Sequence, residues 1–258
     1  MERRLTGRRP GIPTVTFSGT ALKWLGFAFV CMGSFSVAIL QRGIMGLGSD
    51  ATAQAMYEAM APEGGMMGPG TAAVFCSLAA VLAIPIYVHF LCQGFLHTKD
   101  IKRYILRLFA CALVSEIPYD LAMSGRLLDL SVQNPLWALA LGAAMLEICR
   151  MWKTESGVGG LVFRTVVVGA AMAWALLLRV QMGVLLLLLI ALFHFARERK
   201  TLLYLGSIAL TMLQFPSPLG LLFITYYDGT PVKGSRRLFY ALYPAQLLLF
   251  GALSMFFV

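Results

Sequence analysis

Residues 71–96 read TAAVFCSLAAVLAIPIYVHFLCQGFL and contain no Lys, Arg, Asp or Glu. A helix needs about 20 mostly apolar residues to cross the hydrocarbon core of a bilayer, so this stretch is long enough to cross it once. The rest of the chain is similar, because 59% of its 258 residues are apolar and only 13% are charged. A soluble chain of this composition could not cover its core with polar surface. The sequence therefore predicts an all-α, polytopic membrane protein.

Further apolar stretches extend this prediction to a transmembrane helix bundle of about eight spans, within a range of about seven to ten. The predicted spans are 20–41, 71–96, 101–123, 134–152, 160–178, 180–196, 201–226 and 238–258. The loops between them are short, so any chemistry must lie inside the bundle or at its two faces. We expect residues 1–19 to form a basic cytoplasmic segment and residues 20–258 to form a single transmembrane domain.

The basic residues predict the orientation of the chain. There are 21 Lys and Arg against 12 Asp and Glu, a net charge of +9, and the bases cluster at the ends of apolar runs. Cytoplasmic loops are enriched in Lys and Arg, so these bases indicate topology rather than a nucleic-acid partner. Basic residues in 1–13, 97–103, 150–164 and 197–200 predict a cytoplasmic N-terminus and alternating crossings through six spans.

The seventh predicted span departs from this alternation. Prolines at 216 and 218 interrupt its helical hydrogen bonding, and three bases follow it in the loop 227–237. A single crossing at 201–226 would put those bases outside, against the distribution elsewhere. A broken or re-entrant helix is the alternative, and the orientation of the loop stays open.

Ionisable groups inside predicted spans are rare and by default indicate function. The densest set begins with Gln93 and with His97, which ends a polar strip at the cytoplasmic end of the second span. Glu116 and Asp120 are four residues apart, so they share one face of a helix, and Pro118 lies between them. Two carboxylates so placed could act as base and acid, bind a cation or pair with arginine. The five cysteines show no metal-ligand or disulfide spacing, so we expect neither.

Three runs in this region carry a family resemblance. They are QGFLHT at 93–98, KRYILRL at 102–108 and SEIPYDLA at 115–122. Together they resemble the E-G-F-x-H-T, K-K-Y-x-x-R-L and S-E-I-P-F/Y-N/D-L patterns of the TraX family of bacterial inner-membrane proteins. Asn134 and, near the C-terminus, YDG at 227–229, KG at 233–234 and FYALYP at 239–244 also resemble the family. The similarity extends over about residues 80 to 250.

The resemblance implies acyl transfer from acetyl-CoA or another acyl-CoA to an envelope acceptor, at the bacterial plasma (inner) membrane. The founding activity of the family is acetylation of the pilin N-terminus, and the family is similar to membrane acyltransferases that O-acetylate surface sugars. The implied acceptor is therefore a peptide N-terminus or a surface glycan. The implied catalytic residues are His97, Glu116 and Asp120. The residues expected to bind the acceptor or the donor and its phosphates are Gln93, Lys99, Lys102, Arg103, Arg107, Asn134, Lys233 and Tyr243.

Three positions depart from the family pattern. Many members carry an Asp-His pair in the first span, whereas residues 29–36 read FVCMGSFS. The family Glu before Gly-Phe is Gln93, and the family His after Tyr-Pro is Gln246. With these ionisable groups replaced by neutral ones, two alternatives stay open beside the enzyme. One is a small-molecule transporter or binding protein, which broken helices and midplane carboxylates also suit. The other is a catalytically impaired assembly factor.

Overall fold

The computed structural model describes residues 16–47, 68–152, 157–232 and 236–257, and in these ranges the chain is helical with no β-strand. The predicted all-α class is therefore confirmed. The helices are α1 (Gly19–Phe35), α2 (Pro69–Ala80), α3 (Ala83–His97), α4 (Ile101–Ser124), α5 (Leu136–Met151), α6 (Val158–Leu177), α7 (Gly183–Phe195), α8 (Lys200–Thr211), α9 (Gly220–Thr225) and α10 (Arg236–Ser254). A π-helical segment, Ser36–Ile44, continues α1, and two 3-10 turns, Met212–Gln214 and Ser217–Leu219, join α8 to α9.

Each predicted span coincides with one helix or with two consecutive helices. Among the described residues, three helical stretches are long and apolar enough to cross a membrane, namely Gly19–Ile44, Pro69–His97 and Val158–Leu177. Gly183–Phe195 and Leu238–Ser254 are apolar but shorter. Many large apolar side chains face outward, including Leu161 at 65% and Trp174 at 58% exposure, as expected of a surface in contact with lipid. The number of crossings and the cytoplasmic N-terminus stay predictions.

The two ends of the bundle can be defined by contacts between helix termini. At the end that we call the His97 end, α3 finishes and α4 begins. The ring of His194, near the end of α7, lies 5.5 Å from that of Phe95, so α7 finishes there as well. At the opposite end, called the Gly125 end, the guanidinium of Arg42 donates to the carbonyl oxygens of Leu121 and Ala122 near the end of α4.

The segment 200–226 folds back on itself instead of running the length of the bundle. It leaves the His97 end with α8, and Gly220, at the start of α9, packs on the backbone carbonyl of Leu82, between α2 and α3. It then returns through α9 to the start of α1, where Phe17 N–H donates to the Tyr226 carbonyl oxygen (2.9 Å). The contacts therefore favour the re-entrant alternative for this segment over a single crossing.

The main buried cluster is built on α3, α4, α5, α6 and α7, and a smaller cluster lies between the π-helical segment, α4 and α10. Leu187, Leu189 and Ile190 of α7 are fully buried, because α7 packs on α3, α5 and α6, and α10 lies along most of α4. Close contact of α4 and α10 requires a small residue at 251, since a Cβ there would be 3.0 Å from the Ala122 nitrogen. This packing holds α3, α4 and α10 around an open space at the His97 end.

Candidate functional site

A cavity of about 620 Å³ opens at the His97 end of the bundle. Its walls are the first half of α1, α3 from Tyr87 onward, the first half of α4 and part of α10, and its floor is formed by Leu136 and Leu139 of α5. The loop 227–232, which we call the roof loop, covers one side. The lining includes four of the residues predicted from the sequence: Gln93, His97, Arg107 and Tyr243.

His97 is the last residue of α3 and is exposed at the cavity mouth. Its Nδ1 lies 2.8 Å from the carbonyl oxygen of Gln93, one helical turn earlier. A carbonyl oxygen only accepts hydrogen bonds, so this contact favours the tautomer in which Nδ1 carries the proton. The Nε2 atom of the neutral ring is then the one that can accept a proton from a ligand.

Two cations line the cavity. Arg107 of α4 donates from Nε to the Arg103 carbonyl oxygen (3.1 Å), which fixes the base of its guanidinium. Lys23 of α1 holds its Nζ 4.3 Å from the ring centroid of Phe239. Among the described residues the lining contains no Asp or Glu. The cavity therefore suits an anionic ligand.

Three other predicted basic residues lie at the same end but outside the cavity lining. Lys99, Lys102 and Arg103 are exposed, and Arg103 Nε is 3.0 Å from an oxygen of Asp100, whose carboxylate also caps the start of α4. Lys233 lies outside the described residues.

Eight aromatic side chains from the described part of the chain line the cavity. They are Phe27, Tyr87, Phe90, Tyr104, Tyr227, Phe239, Tyr240 and Tyr243. Sequence reasoning missed most of these residues and also missed Lys23. Lys23 lies inside the first predicted span, so the rule that singled out Glu116 could have identified it. The mixture of aromatic faces and two cations can hold a ligand with an apolar part and a charged part.

The roof loop is held in place by hydrogen bonds around Thr230. Its hydroxyl oxygen accepts from Gly19 N–H (3.1 Å), and its own N–H donates to Asp228 Oδ1 (2.8 Å). Hydrogen bonds from Thr230 hold the pKa of Asp228 below its usual range. Burial raises the pKa of Tyr227, whose hydroxyl donates to the Thr230 carbonyl oxygen (2.8 Å). The segment YDG, singled out by its resemblance, thus covers the cavity in a fixed conformation.

Glu116 and Asn134 lie directly beneath the cavity floor and do not line the cavity. The Glu116 carboxylate accepts from the backbone and side chain of Asn134 and from Trp137 Nε1 (2.6 Å). Asn134 is fully buried, donates to the Ala112 carbonyl oxygen (2.9 Å) and accepts from Leu136 N–H (3.0 Å). These contacts fix the start of α5 against α4, and Leu136 of the floor lies in the sequence between Asn134, which precedes α5, and Trp137.

Asp120 is placed near the Gly125 end, away from the cavity. It is 2% exposed, and its carboxylate accepts from Asp129 N–H (2.9 Å) in the loop that follows α4. At 1.5 Å per residue, it lies about 30 Å along the helix from Asp100. The structure therefore brings only His97, of the three catalytic candidates, to the cavity.

Two of the three departures from the family pattern meet in the interior between α1 and α10. Gln246 Nε2 donates to the hydroxyl of Ser34 (3.2 Å), and both residues are buried. Ser34 belongs to the first-span stretch that lacks the Asp-His pair. Neither residue lines the cavity, so this contact is separate from the site around His97.

A family model described as TraX protein matches residues 18–254, nearly the whole chain. No curated protein and no solved structure matches the chain.

Proposed function

The chain belongs to the TraX family, and we propose that this membrane protein transfers an acetyl or other acyl group from acyl-CoA to an envelope acceptor at the bacterial inner membrane. The acceptor is a peptide N-terminus or a surface glycan. The observation that carries the proposal is one cavity that joins an oriented histidine, two cations and an aromatic wall. An acyl-CoA offers matching chemistry, because its phosphates are anionic and its acyl end is apolar.

The donor is bound by the cations at the His97 end. Arg107 donates hydrogen bonds to phosphate oxygens inside the cavity, and Lys23 adds a second positive charge. The exposed bases Lys99, Lys102 and Arg103 raise the local concentration of the anionic donor, and Lys233 is expected to do the same. Since acyl-CoA is made in the cytoplasm, this assignment requires the His97 end to face the cytoplasm.

His97 acts as the general base in the transfer step. Its Nε2 takes a proton from the acceptor hydroxyl or neutral amine while that group attacks the thioester carbonyl carbon. The C–S bond then breaks, the acyl group stays on the acceptor, and the proton passes from His97 to the departing sulfur of CoA. Tyr243 and the side chain of Gln93 lie in the cavity wall as donors for the developing oxyanion.

In this scheme Glu116 and Asn134 are positioning residues, since their contacts support the cavity floor. Asp120 stabilises the loop after α4. These roles differ from direct proton transfer, because none of the three side chains lines the cavity.

Calorimetry of acyl-CoA binding to the detergent-purified protein tests the donor assignment. We expect saturable acetyl-CoA binding that weakens about tenfold or more in Arg107→Ala, which removes a charge-assisted hydrogen bond. Arg126→Ala, which removes an exposed arginine near the Gly125 end, is the matched control and should bind normally. Folded wild-type protein that binds no acyl-CoA would overturn the proposal.

Turnover separates the enzyme from the impaired assembly factor. The neutral contact between Ser34 and Gln246 favours the impaired assembly factor. Such a protein should bind acyl-CoA without hydrolysing it or transferring its acyl group. Release of free CoA in the presence of membrane extract, measured with a thiol reagent, would support the enzyme.

Transport is the second candidate function, favoured by the re-entrant segment 200–226, whose last residues continue into the roof loop. Interrupted helices line binding sites in transporters. Under this reading the protein, reconstituted in vesicles, should move a solute in the absence of acyl-CoA.

A further inference from the structure

A second cavity of about 380 Å³ forms a groove on the outer surface of the bundle, between α6 and α7. The α6 residues that line it recur every three or four positions from Leu161 to Met172, so they form one face of the helix. That face is about 17 Å long at 1.5 Å per residue. The α7 side consists of Leu188 and Phe195. Except for Arg164 and Thr165, the groove is lined by apolar side chains and glycine.

Arg164 is the charged residue of this groove. Its guanidinium carbon lies 5.3 Å from the ring centroid of Phe195, and none of the ion pairs between described residues includes it. It is exposed and belongs to Val158–Leu177, one of the stretches apolar enough to cross a membrane. A charged side chain on a lipid-facing surface is costly unless an anion or the headgroup region receives it.

The charges near Arg164 and Phe195, at one end of the groove, are mainly positive. Arg197, Arg199 and Lys200 follow the end of α7, and Glu198 is the acid among them. Anionic phospholipids bind where basic side chains meet an apolar groove between helices.

We propose that the groove binds an anionic phospholipid, with one acyl chain along the α6–α7 face and the headgroup phosphate on Arg164. The guanidinium donates paired hydrogen bonds to the phosphate oxygens, while the ring of Phe195 supports it from the other side. The acyl chain covers Val168, Met172 and Leu188. This binding is independent of the acyl transfer proposed above and uses none of its residues.

Gly169 provides the space for the acyl chain. A Cβ built at this position meets no atom within 4 Å, so the groove is open here. A Gly169→Leu substitution would fill the groove without changing any charge, and leucine is a better helix former than glycine. The charge and the space can therefore be altered separately.

Native mass spectrometry of the detergent-purified full chain tests the proposal. The protein is titrated with phosphatidylglycerol and with phosphatidylcholine that carries the same acyl chains. We expect wild-type protein to bind phosphatidylglycerol more tightly than phosphatidylcholine. The ratio of the two affinities should fall about tenfold in Arg164→Gln, and Arg164→Lys should have an intermediate ratio. Arg179→Gln, which removes an arginine just beyond the other end of α6, should behave as wild type. If Arg164→Gln does not fold, the lipid preference of Arg164→Lys is compared with that of the wild type to test the role of the guanidinium.

A separate pair of variants tests whether the lipid acyl chain lies in the groove. Gly169→Leu should weaken the binding of both lipids about equally, while Gly159→Leu, also free of contacts within 4 Å but outside the groove, should not. The proposal is overturned if wild-type protein shows no preference for phosphatidylglycerol or if Arg164→Gln and Arg164→Lys keep it. It is also overturned if inorganic phosphate at the same concentration displaces the lipid, which would indicate a simple anion site.

Discussion

His97 and His194 lie near the ends of neighbouring helices at the same end of the bundle, yet only His97 lines the large cavity. The ring of His97 is held by the Gln93 carbonyl, whereas that of His194 packs edge-on against Phe95 and Phe195. If His97 is the general base, His97→Ala should lower the rate of acyl transfer by about 10²- to 10⁴-fold. Acetyl-CoA binding, measured by calorimetry on the same sample, should change little.

His194→Gln is the matched control, because it removes a second histidine ring from the same end of the bundle without altering the cavity lining. It should keep the transfer rate of the wild type when both are compared below the unfolding temperature. A His97→Ala protein that transfers acyl groups at the normal rate would remove His97 from the mechanism.

Asn134 offers a test of the support beneath the cavity floor. Its buried amide donates to Ala112 and Glu116 and accepts from Leu136. Asn134→Ala removes these three side-chain hydrogen bonds from a buried position, so it should destabilise the fold by about 2 kcal/mol. Thermal unfolding in detergent, followed by tryptophan fluorescence, measures the loss. Gln133→Ala changes the neighbouring amide residue and should cost much less; equal losses would contradict the role of the cluster.

The two carboxylates of α4 show how far sequence reasoning reaches. The spacing of Glu116 and Asp120 correctly puts them on one helix, four residues apart. Their partners come from other segments: Asn134 follows 18 residues after Glu116, and Asp129 follows nine after Asp120. Helical periodicity carries no information about such partners, because they depend on how the loop after α4 folds back. The two carboxylates consequently have separate environments.

Helix contacts are tested most directly at Gly251, where α10 packs closely on α4. A Cβ there would be 2.9 Å from Leu121 Cγ and 3.0 Å from the Ala122 nitrogen, and backbone atoms cannot move aside easily. Gly251→Ala should therefore cost about 2 kcal/mol in stability. Gly169→Ala, in a helix but with no atom within 4 Å, is the control and should stabilise by up to about 1 kcal/mol. Equal effects in thermal unfolding would mean that α4 and α10 do not pack this closely.

The C-terminus of α4 provides a second test at the level of a helix, because Arg42 caps it. Gly125 has φ +74° and accepts no side chain without meeting the guanidinium of Arg42, which caps the helix. Gly125→Ala should lose both the favourable backbone conformation and this cap. Gly46→Ala, at φ +64° with no atom within 4 Å, should lose only about 1 kcal/mol. A smaller loss for Gly125→Ala than for Gly46→Ala in urea titrations would contradict the capping role of Arg42.

Hydropathy and the positions of proline predicted well where the helices lie in the sequence. They could not predict how the helices run through the bundle. All eight predicted spans contain helices, and the interruption near Pro216 is present as two 3-10 turns. The return of 200–226 to the His97 end depends on the backbone contacts of Phe17 and Gly220 with distant segments. The cavity was equally hidden, because its wall combines residues from α1, α3, α4 and α10 that no single periodic pattern relates.

For the molecule as a whole, the fold predicts which end of the bundle faces the cytoplasm. The ends of α3 and α7, the roof loop and the start of α1 lie together, and this grouping gathers the basic segments 97–103 and 197–200 at one end. With the positive-inside distribution, that end should face the cytoplasm. In a cysteine-free background, Arg199→Cys and Thr230→Cys should then react with a membrane-impermeant maleimide from the same, cytoplasmic side.

Arg126→Cys, in the loop after α4, should react from the opposite side and serves as the reference. The decisive comparison is between positions 199 and 230, because a full crossing by 201–226 would separate them across the membrane, whereas the re-entrant path keeps them together. The same result bears on function, since the cavity and its cations open beside position 230. Labelling of both positions from the outer side would leave the fold intact but would deny a cytoplasmic acyl-CoA access to His97.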